Sequence, residues 1–142
     1  MTQPAPFRIL LVTIGGQRYA LPLDAVREVC DAQAIARVPL MPAALAGVID
    51  VRGRIVPVID PATLLGTTAA PIGRQIVVVA APDNAGDVGL QVDDVPGLGL
   101  STRAVSPRTG LPRFVERLVD TSDGTVQLLD LAGLLDALPR AS

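Results

Sequence analysis

The chain contains a second version of itself. Residues 48–65, "VIDVRGRIVPVIDPATLL", laid over residues 118–135, "LVDTSDGTVQLLDLAGLL", share six identities in eighteen positions: Asp50/Asp120, Val56/Val126, Asp60/Asp130, Ala62/Ala132, Leu64/Leu134 and Leu65/Leu135. An earlier pair of windows, "YALPLDAVREV" (19–29) over "VGLQVDDVPGL" (88–98), matches Leu21 with Leu90, Asp24 with Asp93 and Val26 with Val95. The offset is 69 in one pair of windows and 70 in the other, in the same order along the chain. Chance matches are common where Leu, Val and Asp abound; two windows in register are not. A chain of 142 residues suits one compact unit or two intimately packed halves. The repeat therefore predicts two similar β halves of about seventy residues, each a small barrel, a shape that closes off exposed strand edges.

The local grammar is that of short strands with turns every eight to twelve residues. "FRILLVTI" (7–14), a Gly-Gly turn and "RYALPL" (18–23) read as a hairpin. Asp24 is placed to cap a short helical turn through "AVREV", and Asp93, its repeat partner, reads as a second cap. "RVPLMP" (37–42) carries two prolines and reads as loop or edge. "AGVIDV", the "RGR" turn and "IVPVI" form a second hairpin, with Pro57 confined to an edge or bulge. "DPATLLG" has Asp60 as N-cap, Pro61 at the first helical position and Gly66 beyond the end. After a loop (67–71) come "QIVVVAA" (75–81), the turn "PDNAGD" and "VGLQV" (88–92). The Pro/Gly/Ser-rich stretch 96–112 reads as loop with a short strand, followed by "RLVD", "TVQLLD" and "LAGLLDAL".

Composition narrows the chemistry. There is no His and no Lys; all twelve basic residues are Arg. Histidine general bases, serine–histidine pairs, His metal sites, lysine Schiff bases and the P-loop lysine are all excluded. Arginine stays protonated and shuttles protons poorly, but it pairs well with carboxylates. Such a chain is equipped for recognition rather than catalysis. No apolar run approaches the roughly twenty residues of a membrane span, and the opening "MTQPAPFRILLVTIGG" lacks a basic leader and runs straight into strand pattern. The lone Cys30 suits a reducing cytoplasm. A net charge of −2 gives no general pull towards nucleic acid or anionic lipid.

The repeat also acts as an internal control. Asp50 and Asp60 have counterparts in Asp120 and Asp130, so these carboxylates read as a turn residue and a helix cap. Arg52 instead aligns with Ser122, and Glu28 with Gly97. The fold element does not require either charge. Three readings remain open from the residues alone. Arg52 and Arg54 are solvated at a hairpin tip, as surface charges usually are; or Arg52 pairs with Glu28 as a brace contributing about 0–1 kcal/mol; or the two do work at a surface.

The motifs that carry a family resemblance are Val26–Glu28–Val29, Pro42 to Gly47–Val48, Asp50–Val51–Arg52–Gly53, and Val56–Pro57–Val58–Ile59–Asp60. Together they resemble the CheW-like coupling domain of bacterial chemotaxis over residues 7–136, with Asp50 where that family usually has Asn. The resemblance implies a mainly β fold of two SH3-like five-stranded barrel subdomains packed together with short helices, here one domain over 7–136 with halves near 7–66 and 75–136. It implies a non-enzymatic adaptor without cofactor or metal, binding the cytoplasmic tip of chemoreceptors and the regulatory domain of a CheA-type histidine kinase. Nucleic-acid binding and membrane insertion are not implied, and the location would be cytoplasmic, at membrane-associated receptor arrays. The receptor-groove residues it points to are Val26, Glu28, Val29, Gly47, Val48, Asp50, Arg52 and Gly53. In that setting valines supply burial of about 1.5–3 kcal/mol each, Arg52 supplies orientation, and Gly47, lacking a Cβ, lets a receptor helix approach.

Two alternatives accompany this expectation. One, within the family, is a coupling protein of a pilus-motility or other alternative chemosensory system. The other is a small-ligand- or metal-binding β-barrel protein, for which the best support is the acidic set Asp83, Asp87, Asp93 and Asp94. "PDNAGD" has ordinary turn chemistry, and the set lacks EF-hand spacing and its terminal glutamate.

Overall fold

The structure, a computed structural model, describes residues 7–31, 35–37, 39–40, 44–67, 74–81, 86–101, 103–105, 111, 113–122 and 124–137. It consists of two β sheets and two short helices. The strands in chain order are β1 (Phe7–Ile14), β2 (Gln17–Pro22), β3 (Val26–Asp31), β4 (Leu45–Val51), β5 (Arg54–Ile59), β6 (Gln75–Ala80), β7 (Asp87–Val92), β8 (Asp94–Ser101), β9 (Arg103–Val105), β10 (Val115–Thr121) and β11 (Gly124–Leu129). Helix α1 (Pro61–Leu65) follows β5, and α2 (Leu131–Asp136) follows β11.

The first sheet takes strands from both ends of the chain, and the second takes the five strands between them, β3 to β7. The first has the order β8-β1-β2-β11-β10-β9 and the second β3-β6-β7-β5-β4. Both orders are open ladders, not the closed five-stranded barrels that the repeat suggested. Each ladder is nonetheless drawn round by one bent segment. In the first sheet β8 pairs with β1 and β9 with β10, and a single residue, 102, separates β8 from β9. In the second, β3 pairs with β6, and the chain beyond it returns so that Ala36 bridges Val48 of β4. That bridge has two hydrogen bonds: the Ala36 N–H donates to Val48 O at 2.8 Å and the Val48 N–H to Ala36 O at 2.9 Å.

The repeat reappears in three dimensions. Register shifts fall between Leu45 and Gly47 where β4 meets β5, and between Val115 and Arg117 where β10 meets β11. Such bulges bend a strand and raise its twist, which is how a short sheet curls. Both helices are capped in the same way. The Asp60 carboxylate accepts from Ala62 N–H at 3.2 Å, and the Asp130 carboxylate accepts from Gly133 N–H at 3.1 Å. Their own N–H groups donate to Ala44 O (2.7 Å) and Phe114 O (2.8 Å). Pro61 sits in the first turn, and Gly66 closes α1 at φ 74°, as the sequence grammar predicts.

Alternation sorts the aliphatic side chains into three clusters. Ile9, Leu11, Ala20, Val119, Val126 and Leu128 fill the first sheet's own curl, and Ile49, Val56, Val58, Ile76 and Val78 fill the second's. A larger cluster, including Leu10, Val12, Leu21, Val77, Val79, Leu90 and Leu134, lies between the sheets and joins them.

Several local expectations change. Asp24 caps nothing: it lies inside a 3-10 turn (Leu23–Ala25) whose N-cap is Pro22, and "VREV" is strand β3 rather than helix. Asp93 is not a helix cap either. It is buried, its carboxylate accepts the Gly15 N–H at 2.8 Å, and its own N–H donates to Thr13 O at 2.8 Å, so it ties the β1–β2 turn to the β7–β8 junction. Pro57 lies in β5, an internal strand, opposite Val48. Counting outward from the tight turn at Val51 and Arg54, that pair is a non-hydrogen-bonded one, so the donor missing from Pro57 would point away from β4. Pairing with β7 starts only at Val58. Residues 94–101 form an eight-residue edge strand, not loop. Edge position and a register shift accommodate Pro96 and Gly97 there. Val38, Met41 and the second proline, Pro42, of "RVPLMP", and Asp83 with the centre of "PDNAGD", lie outside the described residues.

Candidate partner-binding site

Strand β3 alternates half-buried Val26, Glu28 and Cys30 with exposed Arg27, Val29 and Asp31. A register shift against β6 between Val26 and Glu28 turns Glu28 and Cys30 together towards the far edge of the sheet. There the β4–β5 hairpin turns in two residues, Arg52 and Gly53, between the paired Val51 and Arg54. Both adopt positive φ, 54° and 83°, the requirement of the tight turn whose twist matches the strands. Asp50 secures it, its Oδ1 accepting the Gly53 N–H at 2.7 Å. Asn-Gly is the favoured sequence for such a turn. Arginine in the left-handed region costs about 1 kcal/mol, so the fold tolerates Arg52 rather than selecting it.

Arg52 reaches Glu28 with 3.6 Å between Nε and Oε1. The arginine side chain is 86% exposed and the glutamate 32%, so the pair contributes at most about 1 kcal/mol. The other glutamate oxygen, Oε2, accepts from the Cys30 thiol at 3.4 Å. Burial pushes the thiol pKa up, the hydrogen bond to Glu28 and its negative charge push it further, and the Arg52 guanidinium pulls it back. In the other half, Asp120 takes the Thr125 hydroxyl at 2.8 Å near the corresponding turn.

Of the eight residues singled out from the sequence, the structure brings Glu28, Asp50, Arg52 and Gly53 together. The valines and Gly47 serve different surroundings. Val26 packs against the inter-sheet cluster, Val48 bridges Ala36, and Val29 is exposed at 41%. Gly47, at φ 150°, is buried beneath the chain's own returning segment: a Cβ there would run into Ala36 O and lie 2.7 Å from Ile35 Cγ2. Its missing side chain makes room for residues 35 and 36, not for a foreign helix.

A second charged group lies at the same end of this sheet. Arg27 Nε is 3.7 Å from Asp87 Oδ1, and Arg54 Nη1 is 3.8 Å from Asp87 Oδ2. In the sequence Arg54 stands out only as part of a hairpin tip and Asp87 only as part of an acidic set. Their meeting follows from alternation: Arg54 continues the inward row of Val56 and Val58, and Asp87 pairs with Ala80, which continues that of Ile76 and Val78. The acidic set itself is dispersed in use, Asp87 facing two arginines, Asp93 buried against the β1–β2 turn and Asp94 exposed. Among the described residues no three potential metal ligands converge, and no helix is long and apolar enough to cross a membrane.

Two curled sheets, joined back to back by an aliphatic seam and presenting paired charges at a hairpin tip, define a β interaction module. A family model described as "CheW-like domain" matches residues 8–138, and the chain belongs to that family. It is similar to Chemotaxis protein CheW of Rhizobium meliloti, at 32% identity over 111 residues, 77% of this chain and 71% of the relative. It is also similar to Protein PilI of Pseudomonas aeruginosa, at 32% over 85 residues, 60% of this chain and 48% of the relative. Among solved structures, the scaffolding protein TtCheW from Thermoanaerobacter tengcongensis superposes with a TM-score of 0.80 over 94% of both chains at 24% identity, a likeness of fold.

Proposed function

We propose that this chain is a non-enzymatic signalling adaptor that couples the cytoplasmic tips of chemoreceptors to the regulatory domain of a CheA-type histidine kinase. The observation that carries the reading is the Glu28–Arg52 pair. It spans two edges of the second sheet, contributes little to stability, and has Gly97 and Ser122 as counterparts in the first. Family membership and the Rhizobium relative's name support the chemotaxis setting. The partner supplies a helical hairpin: Val29 offers exposed apolar surface, Arg52 orients the incoming helix, and Asp50 and Gly53 hold the turn that carries Arg52. Val26, Gly47 and Val48 act from beneath by fixing the shape of β3 and β4. The adaptor works in the cytoplasm, at receptor arrays.

Reconstitution tests this directly. Receptor-containing membranes, the cognate kinase and this chain are combined, and receptor-dependent kinase activity is read with Arg52→Glu in place of the native chain. Coupling falls severely while the melting temperature stays within a few degrees. Unchanged coupling would overturn the proposal. A melting temperature lowered by more than about 10 °C would make Arg52 a fold residue instead.

The similarity to PilI favours a second reading within the same class, an adaptor serving a pilus-motility system. Deleting the gene and comparing swimming with surface twitching separates the two.

A further inference from the structure

We propose that the mouth of the second sheet, between Arg27 and Arg54, is a docking cleft for a carboxylate-bearing acidic segment of a partner protein. The cleft has a volume of about 420 Å³ and is lined by Arg27, Arg54, Ala80, Ala81, Gly86 and Asp87. It is distinct from the Glu28–Arg52 pair and does not depend on which signalling pathway the chain serves.

Three observations carry it. First, two guanidinium groups share one carboxylate, one to each oxygen, at 3.7 and 3.8 Å. Those separations exceed hydrogen-bond length, so charge holds the group together, and among the described residues the two guanidinium groups have no hydrogen-bond partner. Arg27 and Arg54 are 61% and 67% exposed, Asp87 only 18%; the cations face outward and the anion lies at the floor, leaving a surplus of one positive charge among the described residues. Second, the fold does not ask for these arginines. By the offsets of the repeat, Arg27 corresponds to Pro96, Arg54 to Gly124 and Asp87 to Arg18. The other sheet forms without either arginine. Third, exposed apolar residues neighbour the cations in sequence, Ile55 beside Arg54 at 69% exposure, on the other face of β5, and Val29 two residues beyond Arg27 at 41%.

The chemistry selects the occupant. A planar guanidinium fork matches a carboxylate in two-point geometry, and a monoanion balances the surplus charge. A phosphate dianion would face Asp87 across the cleft. An anionic bilayer calls for a cluster of four to eight basic residues, whereas this chain carries a net charge of −2. Walls of Ala and Gly bury too little of a small metabolite to offset its lost freedom. A carboxylate borne on a protein has the rest of its surface to lay against the strands outside the cleft, where Ile55 and Val29 leave apolar surface exposed.

The test is an NMR titration of the isotopically labelled full chain with a short, capped Glu- and Leu-containing peptide. Its Gln-for-Glu counterpart, inorganic phosphate and phosphatidylserine vesicles are titrated in parallel. The proposal expects saturable shifts at the Ala80, Ala81 and Gly86 amides with the acidic peptide alone. Arg27→Ala combined with Arg54→Ala should weaken binding at least about five-fold without moving resonances of the first sheet, and Asp87→Asn should tighten it by a similar factor, each a change of roughly 1 kcal/mol. Equal shifts with the Gln peptide, unchanged binding by the double arginine variant, or no saturable shift would overturn it. So would phosphate or vesicles acting at lower concentration than the peptide, which would assign the cleft to a phosphate ligand.

Discussion

Glu28 holds both Arg52 and Cys30: Oε1 lies 3.6 Å from the Arg52 Nε, and Oε2 takes the Cys30 thiol at 3.4 Å. The carboxylate thereby links one edge strand to the turn that ends the opposite edge. If bracing were its whole role, exchanging the charges would restore function. The swapped variant, Glu28→Arg with Arg52→Glu, is expected to melt within a few degrees of the native chain, because the exposed pair is worth at most about 1 kcal/mol. It is also expected to leave receptor-coupled kinase activity as low as Arg52→Glu alone does. Kinase coupling assays on the native chain, the single variant and the swap provide the comparison. Rescue by the swap would assign the pair to architecture.

Arg52 occupies a left-handed position (φ 54°) that favours Asn or Gly. Arg52→Asn is therefore expected to stabilise the protein by about 0.5–1 kcal/mol, raising the melting temperature by a few degrees, while reducing coupling. Thermal melts and the coupling assay check both halves of the statement. A variant that gains stability as it loses activity identifies strain kept for function.

What the sequence made readable was the repetition and the capping, because both depend on local chemistry. Asp60 and Asp130 announce their helices through neighbours within three residues. The strand partnerships are less visible, since alternation gives a strand's faces but not its neighbours. The pairing of β2 with β11 joins Tyr19 to Gln127, more than a hundred residues apart, and nothing local specifies it. Strand β8 was hidden by Pro96, Gly97 and Gly99, residues that signal loop unless one knows that the strand is an edge with a register shift. At the site, Arg52 and Glu28 were visible because the repeat showed them to be dispensable to the fold. The meeting of Arg27 and Arg54 with Asp87 is not legible in the sequence because it depends on sheet order. Gly47 was read for the right property and the wrong neighbour: its bare Cα is needed, but by Ala36.

Cys30 reports on the same charges by its reactivity. Burial comes first among the causes that raise its pKa above the ordinary 9.0, followed by Glu28, with Arg52 opposing. Alkylation by iodoacetamide near about pH 8 consumes the thiolate and should be slow. Glu28→Gln removes a negative charge and should accelerate it; Arg52→Ala removes the opposing positive charge and should slow it further. Folding holds the proton on, so the stability this group contributes is present below pH 9 and is lost as pH rises through the elevated folded value. Identical alkylation rates in all three proteins would break the link between the thiol and the pair.

Gly47 and Gly53 form a matched test of what a missing side chain is for. Both have positive φ, 150° and 83°, so alanine carries a backbone cost at either place. At Gly53 nothing lies within 4 Å of the added methyl group, and Gly53→Ala is expected to cost about 1 kcal/mol. At Gly47 the methyl group meets the Ala36 carbonyl and lies 2.7 Å from Ile35 Cγ2. The bridge between Ala36 and Val48 must then open, exposing the edge of β4 and releasing two hydrogen bonds. Gly47→Ala is expected to cost about 2–4 kcal/mol, the range of overpacking added to strain, and to increase hydrogen exchange at the Ala36 and Val48 amides before global unfolding. Urea denaturation supplies the first quantity and native-state exchange the second. If Gly47→Ala matched Gly53→Ala in stability and lost only receptor coupling, the space above Gly47 would belong to the partner helix, and the returning segment would not be what fills it.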